Sequence, residues 1–134
     1  MTAEKVKNFL KTKLSDGVSV IVNTIDSNPQ ECIGVFDPKT QEKRRRCIGG
    51  EENTKTQIRR FNILVHWTDS PVTCEAKARE IMDLFDHKSG FDVDGVKVVA
   101  AEAEFPRWAG RAQNRVCEYV VPIKITYEEV KKNA

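Results

Sequence analysis

The chain lacks any apolar run approaching the roughly 20 residues needed to cross a bilayer as a helix; its apolar residues come in short groups such as Val98-Val99-Ala100-Ala101. Its four cysteines, Cys32, Cys47, Cys74 and Cys117, are scattered, with no close pair and no His at metal-finger spacing. Neither a zinc site nor a disulfide scaffold is indicated, and reduced, buried thiols are expected. A strong charge bias is also missing. The 22 basic and 20 acidic residues leave +2, with a pI near 8.3, which argues against a nucleic-acid binder with a large basic footprint. Gly49-Gly50 lacks both the Lys-Ser/Thr and the strand-to-helix setting of a phosphate loop, so it reads as a hinge. The first residues form a charged amphipathic pattern rather than a signal peptide. The expectation is a protein made and used in a reducing cytoplasm.

What is present is ordinary globular material: 134 residues, 40% hydrophobic and 31% charged. That fits one domain, residues 1–134, with a single core. Its nucleus is the stretch from Ile58 to Phe85. In Ile58–Trp67, Phe61, Ile63, Val65 and Trp67 recur at period two while Arg60, Asn62 and His66 take the other face, the pattern of a half-buried strand. Thr68-Asp69-Ser70-Pro71 then starts a helix, with Ser70 or Asp69 as cap and Pro71 in the first turn. Cys74, Ala78, Ile81, Met82 and Phe85 make its apolar stripe, and Glu75, Lys77, Arg79, Glu80 and Asp83 cover the outside.

Thr2–Leu14 reads as an opening helix, with Val6, Phe9, Leu10 and Leu14 on one face. Val18–Ile25 is β-branched enough for a first strand. Ser27-Asn28-Pro29 is a turn, after which Cys32–Phe36 is expected to pair back on that strand. Between Lys39 and Thr56 the pattern dissolves into a long charged loop. Asp86–Gly90 is expected to close the second helix, with His87 and Lys88 near its negative end. Phe91–Val93, Asp94-Gly95 and Val96–Ala103 read as a hairpin, followed by a second irregular stretch, 105–114. The last strand alternates Cys117, Tyr119, Val121, Ile123, Ile125 and Tyr127, and Pro122 in its other phase predicts an edge or a bulge. The fold class is α+β: a mostly antiparallel, mixed sheet carrying two helices on one face, plus long loops.

No catalytic constellation emerges. His66 and His87 read as surface or structural histidines, without a sequence partner that would make either the base of a nucleophile. Glu51-Glu52, Glu102 and Glu104 read as solvated charges rather than paired carboxylates. No catalytic, cofactor or metal residue is assigned. Lys43-Arg44-Arg45-Arg46 could neutralise phosphates, yet the low net charge and absence of interleaved aromatics favour contact with a protein. Trp108 between Arg107 and Arg111 is the most interface-like cluster in the chain. The competing reading is a Trp that caps the domain's own core.

Three pieces carry a family resemblance: Arg60–Trp67 with the following Ala76–Phe85 helix; Phe105–Arg111, with Pro-x-x-x-Gly-Arg spacing; and the closing strand Arg115–Tyr127. In their order and spacing the chain resembles small tailed-phage proteins of the minor capsid or tail-terminator (tail-completion) family. It departs from them where Ala112-Gln113-Asn114, rather than acidic residues, follow Arg111. The resemblance implies a structural virion protein with no enzymatic activity and no cofactor. The expected assembly is a homo-oligomeric, hexameric ring that caps the tail tube and joins it to head-closure (connector) proteins. DNA would meet it only in passing through the ring, and no membrane is involved. Its place would be the head–tail junction of the virion, after assembly in the host cytoplasm. Arg44, Arg45, Arg46, Arg107, Trp108 and Arg111 are then the expected contacts to a neighbouring subunit or the tube. The alternative is a nucleic-acid-binding module that uses the Arg44–Arg46 loop.

Overall fold

The computed structural model describes residues 1–14, 18–24, 31–38, 56–112 and 115–129. Helix α1 (Ala3–Lys13) starts where the Thr2 hydroxyl accepts the Lys5 N–H at 3.3 Å, and it buries Val6, Phe9 and Leu10. Helix α2 (Pro71–Phe85) starts at Ser70, whose hydroxyl accepts the Thr73 N–H, with Pro71 in the first turn, where its missing donor costs nothing. The stripe buried by α2 is the one its periodicity predicts: Cys74, Ala78, Ile81, Met82 and Phe85.

The strands are β1 (Ser19–Val22), β2 (Cys32–Phe36), β3 (Thr56–His66), β4 (Lys88–Val93), β5 (Val96–Ala103), β6 (Arg107–Arg111) and β7 (Cys117–Glu128). They form one seven-stranded mixed sheet in the order β1-β2-β3-β7-β5-β4, with β6 also paired to β7. Phe61, Ile63 and Val65 of β3 and Val121, Ile123 and Ile125 of β7 share the face that both helices cover, and all belong to one apolar cluster. The fold is α+β, as its sequence pattern indicates.

Four expectations need correction. Strand β2 does not turn back on β1; the two are parallel, with Ser19 opposite Cys32 and Val22 opposite Val35. Their ends meet at one end of the sheet: the Asn23 N–H donates to the Val35 carbonyl at 2.8 Å, and the Asn23 side-chain oxygen accepts the Asp37 N–H. The turn expected at Ser27-Asn28-Pro29 lies outside the described residues.

Strand β7 is central rather than an edge, with β3 along one side. Its other side is divided. Strand β5 pairs with it up to Ala103 opposite Ile123, and β6 takes over from Arg107 opposite Val120. Pro122 sits in the gap. Its carbonyl accepts the Glu104 N–H at 2.9 Å, and since the two polar groups of an extended residue point the same way, its missing donor falls where no strand needs it.

The stretch 105–114 is not wholly irregular, because Arg107–Arg111 is β6. Its register slips between Trp108 and Gly110, and Gly110 has φ of 111°. That bulge hides the strand from a period-two reading. Likewise Lys88 is not part of the helix end but the first residue of β4, after the Asp86 cap. The Asp94-Gly95 hairpin turn forms as expected, with φ of 47° and 84° at its two residues, the positive pair that a type I′ turn requires.

Candidate interaction surface

Strand β6 brings its three expected contact residues to one edge of the molecule. Trp108 pairs across the ladder with Tyr119, and the two rings meet edge to face with centroids 5.4 Å apart. Such a contact holds the indole in place, yet Trp108 stays 50% exposed, outside the apolar core. The guanidinium of Arg111 lies 6.0 Å from the indole centroid and donates to the carbonyls of Asp69 (3.1 Å) and Arg115 (2.9 Å). It therefore clamps the start of α2 to the turn before β7. Arg107 pairs with Glu104 at 2.8 Å on the surface. Arg44, Arg45 and Arg46 lie outside the described residues, so the described surface is built from β6 and its neighbours.

Sequence reading included Phe105 only as part of the 105–114 stretch and missed the residues that α2 and β7 add. Phe105 is 69% exposed, with the Arg79 guanidinium 5.7 Å from its ring centroid; Arg79 also pairs with Glu75 one helical turn earlier. Val72, at the start of α2, is 78% exposed. A large apolar residue on the polar face of an amphipathic helix was the available signal. Burial, followed by the carboxylate of Glu75 and the thiols of Cys74 and Cys117, raises the Tyr119 phenol above its ordinary pKa. It is a neutral, hydrogen-bond-capable group at neutral pH.

The buried polar chemistry is structural. His66, 1% exposed, accepts or donates through Nδ1 at 3.0 Å from Glu118 Oε2, on the face away from the helices, while its Nε2 is buried without a partner among the described residues. Cys32 stands opposite His66 in the β2–β3 ladder. The row Cys32, His66, Glu118 has residue types that could serve a thiol nucleophile, but Cys32 is fully buried. Cys74 is also fully buried; its thiol donates to the Cys117 carbonyl at 3.1 Å, and burial, with Cys117 nearby, pushes its pKa up to about 12. That leaves it protonated and inert at neutral pH. Among the described residues no group of three His, Cys, Asp or Glu side chains is placed to hold a metal ion.

On the other flank of α2 lies a cleft of about 670 Å³ between α1, α2 and β4. Its apolar surface comes from Phe9, Leu84 and Phe91, with Phe9 and Phe91 centroids 5.7 Å apart. Asp83, Asp92 and Asp94 stand around it together with Lys13 and Lys88. Among the described residues no helix is long and apolar enough to cross a membrane.

Comparison with known sequences gives the family. The profile described as bacteriophage tail terminator protein matches residues 9–129. The chain belongs to the bacteriophage tail terminator family. It is thus a structural component of the phage tail. No curated protein sequence matches it. One solved structure superposes over 100% of this chain and 99% of its own, with a TM-score of 0.52 and 15% identity. At that identity the likeness shows a shared fold and nothing finer. The family match spans both flanks of α2, from Phe9 in the cleft through Trp108 to the end of β7.

Proposed function

We propose that this tail terminator family member caps the finished tail tube as a homo-oligomeric, hexameric ring and presents the ring to the head-closure proteins at the head–tail junction. The observation that carries this reading is Trp108: a large ring, fixed against Tyr119 and flanked by Arg107 and Arg111, left half exposed on the edge strand β6. Trp and Arg are the side chains that most often anchor protein contacts, and an edge strand offers unpaired backbone beside them. Arg107, Trp108 and Arg111 then reach a neighbouring subunit or the tube, as do Arg44, Arg45 and Arg46. The role is mechanical and needs no cofactor or catalysis, and assembly takes place in the host cytoplasm.

The test is addition of purified protein to tail tubes assembled without it. The reading expects protein at one end of each tube by electron microscopy, and tubes that become competent to join filled heads. Tubes that stay uncapped, or protein spread along the tube wall, would overturn it.

A further inference from the structure

Among the described residues four large apolar side chains are exposed, Val72, Val99, Phe105 and Trp108, and three of them gather on one flank of α2. Val72, Glu75 and Arg79 follow one another at i, i+3 and i+7, so they share a face of that helix. That face runs beside β6. At one end Arg111 donates to the Asp69 carbonyl just before the helix, and at the other Arg79 lies over the Phe105 ring. Between them the Glu75 carboxylate is close enough to act on the Tyr119 phenol, against which Trp108 packs. The exposed apolar groups therefore make one surface rather than scattered single residues, and such a surface marks a contact.

The arginines of this surface already have partners within it. Arg79 pairs with Glu75 at 3.4 Å and Arg107 with Glu104 at 2.8 Å. Arg111 holds no carboxylate, but its Nη1 donates to the carbonyls of Asp69 and Arg115. A partner that offered its own carboxylate to Arg79 or Arg107 would have to displace an existing pair, and exchanging one solvent-exposed pair for another yields little. Covering Val72, Phe105 and Trp108 requires no exchange and takes apolar area out of water outright. The arginines thus act as struts that hold the rings in place, and the apolar side chains are what the surface has to offer.

We infer that this surface takes an uncharged, apolar patch of a protein partner, so that docking is driven by apolar burial and is barely weakened by salt. This rests on the ring reading and adds to it the chemistry of what β6 and α2 meet. Screening by salt acts on attraction between charges and leaves apolar burial in place, and a salt such as sulfate strengthens that burial. An acidic protein face or a nucleic acid would behave in the opposite way and lose affinity as salt rises.

The experiment uses the full-length protein and two double variants: Val72→Ser/Phe105→Ser, which makes the surface polar, and Glu104→Arg/Arg107→Glu, which keeps the ion pair but turns it round. All four side chains are exposed, and thermal melting checks that each variant folds like wild type. Association is read alone by light scattering and on tail tubes by co-sedimentation, from about 0.1 to 1 M sodium chloride, over which the Debye length falls from roughly 10 to 3 Å. The salt series on wild type stands whatever the variants do. The expected result is wild-type association that weakens by less than about twofold across the series, a loss of roughly tenfold or more in Val72→Ser/Phe105→Ser, and wild-type behaviour in Glu104→Arg/Arg107→Glu. Association that weakens further with salt, survives the serine variant or is lost when the pair is turned round overturns the apolar partner and leaves the ring standing. Wild type that associates neither alone nor on tubes removes the ring reading, and this inference with it.

Discussion

His66 and Glu118 are joined across the central ladder at 3.0 Å, on the sheet face that no helix covers, and His66 is nonetheless 1% exposed. Among the described residues the histidine has a single polar partner, its other ring nitrogen being buried without one. Glu118→Ala should therefore leave a buried imidazole wholly unpaired, at a cost of about 1–3 kcal/mol. Urea unfolding should show a lower midpoint at an unchanged slope. An unchanged midpoint would mean that the pair contributes nothing.

Cys74 sets an alkaline limit. Its folded-state pKa of about 12 lies above the ordinary 9.0 because burial opposes the thiolate. The unfolded chain loses that proton first, so the contribution is fully present below pH 9 and is lost as pH rises towards 12. The raised Tyr119 phenol acts in the same direction from 10.0 upward. For Cys74 alone stability should fall by an amount on the order of a few kcal/mol between pH 9 and 12, and Cys74→Ala should flatten the decline. A decline of equal steepness in Cys74→Ala would assign it to other groups.

Gly110 holds the β6 bulge at φ 111°, a conformation that residues with a Cβ rarely adopt. Among the described residues no atom stands within 4 Å of a Cβ placed there, so the penalty is conformational rather than a clash. Gly110→Ala should cost about 1–3 kcal/mol and disturb the Trp108 environment. Near-ultraviolet circular dichroism reads the second effect. A spectrum and stability equal to wild type would show that the bulge tolerates a side chain.

Legibility in the sequence followed the reach of the forces involved. Strand β3 and helix α2 were plain because Phe61, Ile63 and Val65, and Cys74, Ala78 and Ile81, repeat at the period of the element they build. Strand β6 was not, because its bulge breaks the alternation and its pairing depends on β7, several residues later. The direction of β2 relative to β1 depends on the path between them, which the Ser27-Asn28-Pro29 turn signal does not fix. Pro122 announced a missing donor correctly, but only the tertiary arrangement shows that a central strand can contain it where β5 gives way to β6. For the surface, Arg107, Trp108 and Arg111 are contiguous and could be read together. Arg79, Val72 and Tyr119 join them from other elements and could not.

Trp108 also allows the central claim to be tested on an intact fold. Truncating a half-exposed side chain removes its packing on Tyr119 but opens no core cavity, so Trp108→Ala should melt close to wild type. The decisive measurement is the mass of wild type and Trp108→Ala by light scattering over a concentration series, alone and on tail tubes. The account predicts that wild type reaches a ring of six 15.2 kDa subunits and that the folded variant remains monomeric at the same concentrations. A Trp108→Ala protein that forms the same ring at the same concentration would contradict it.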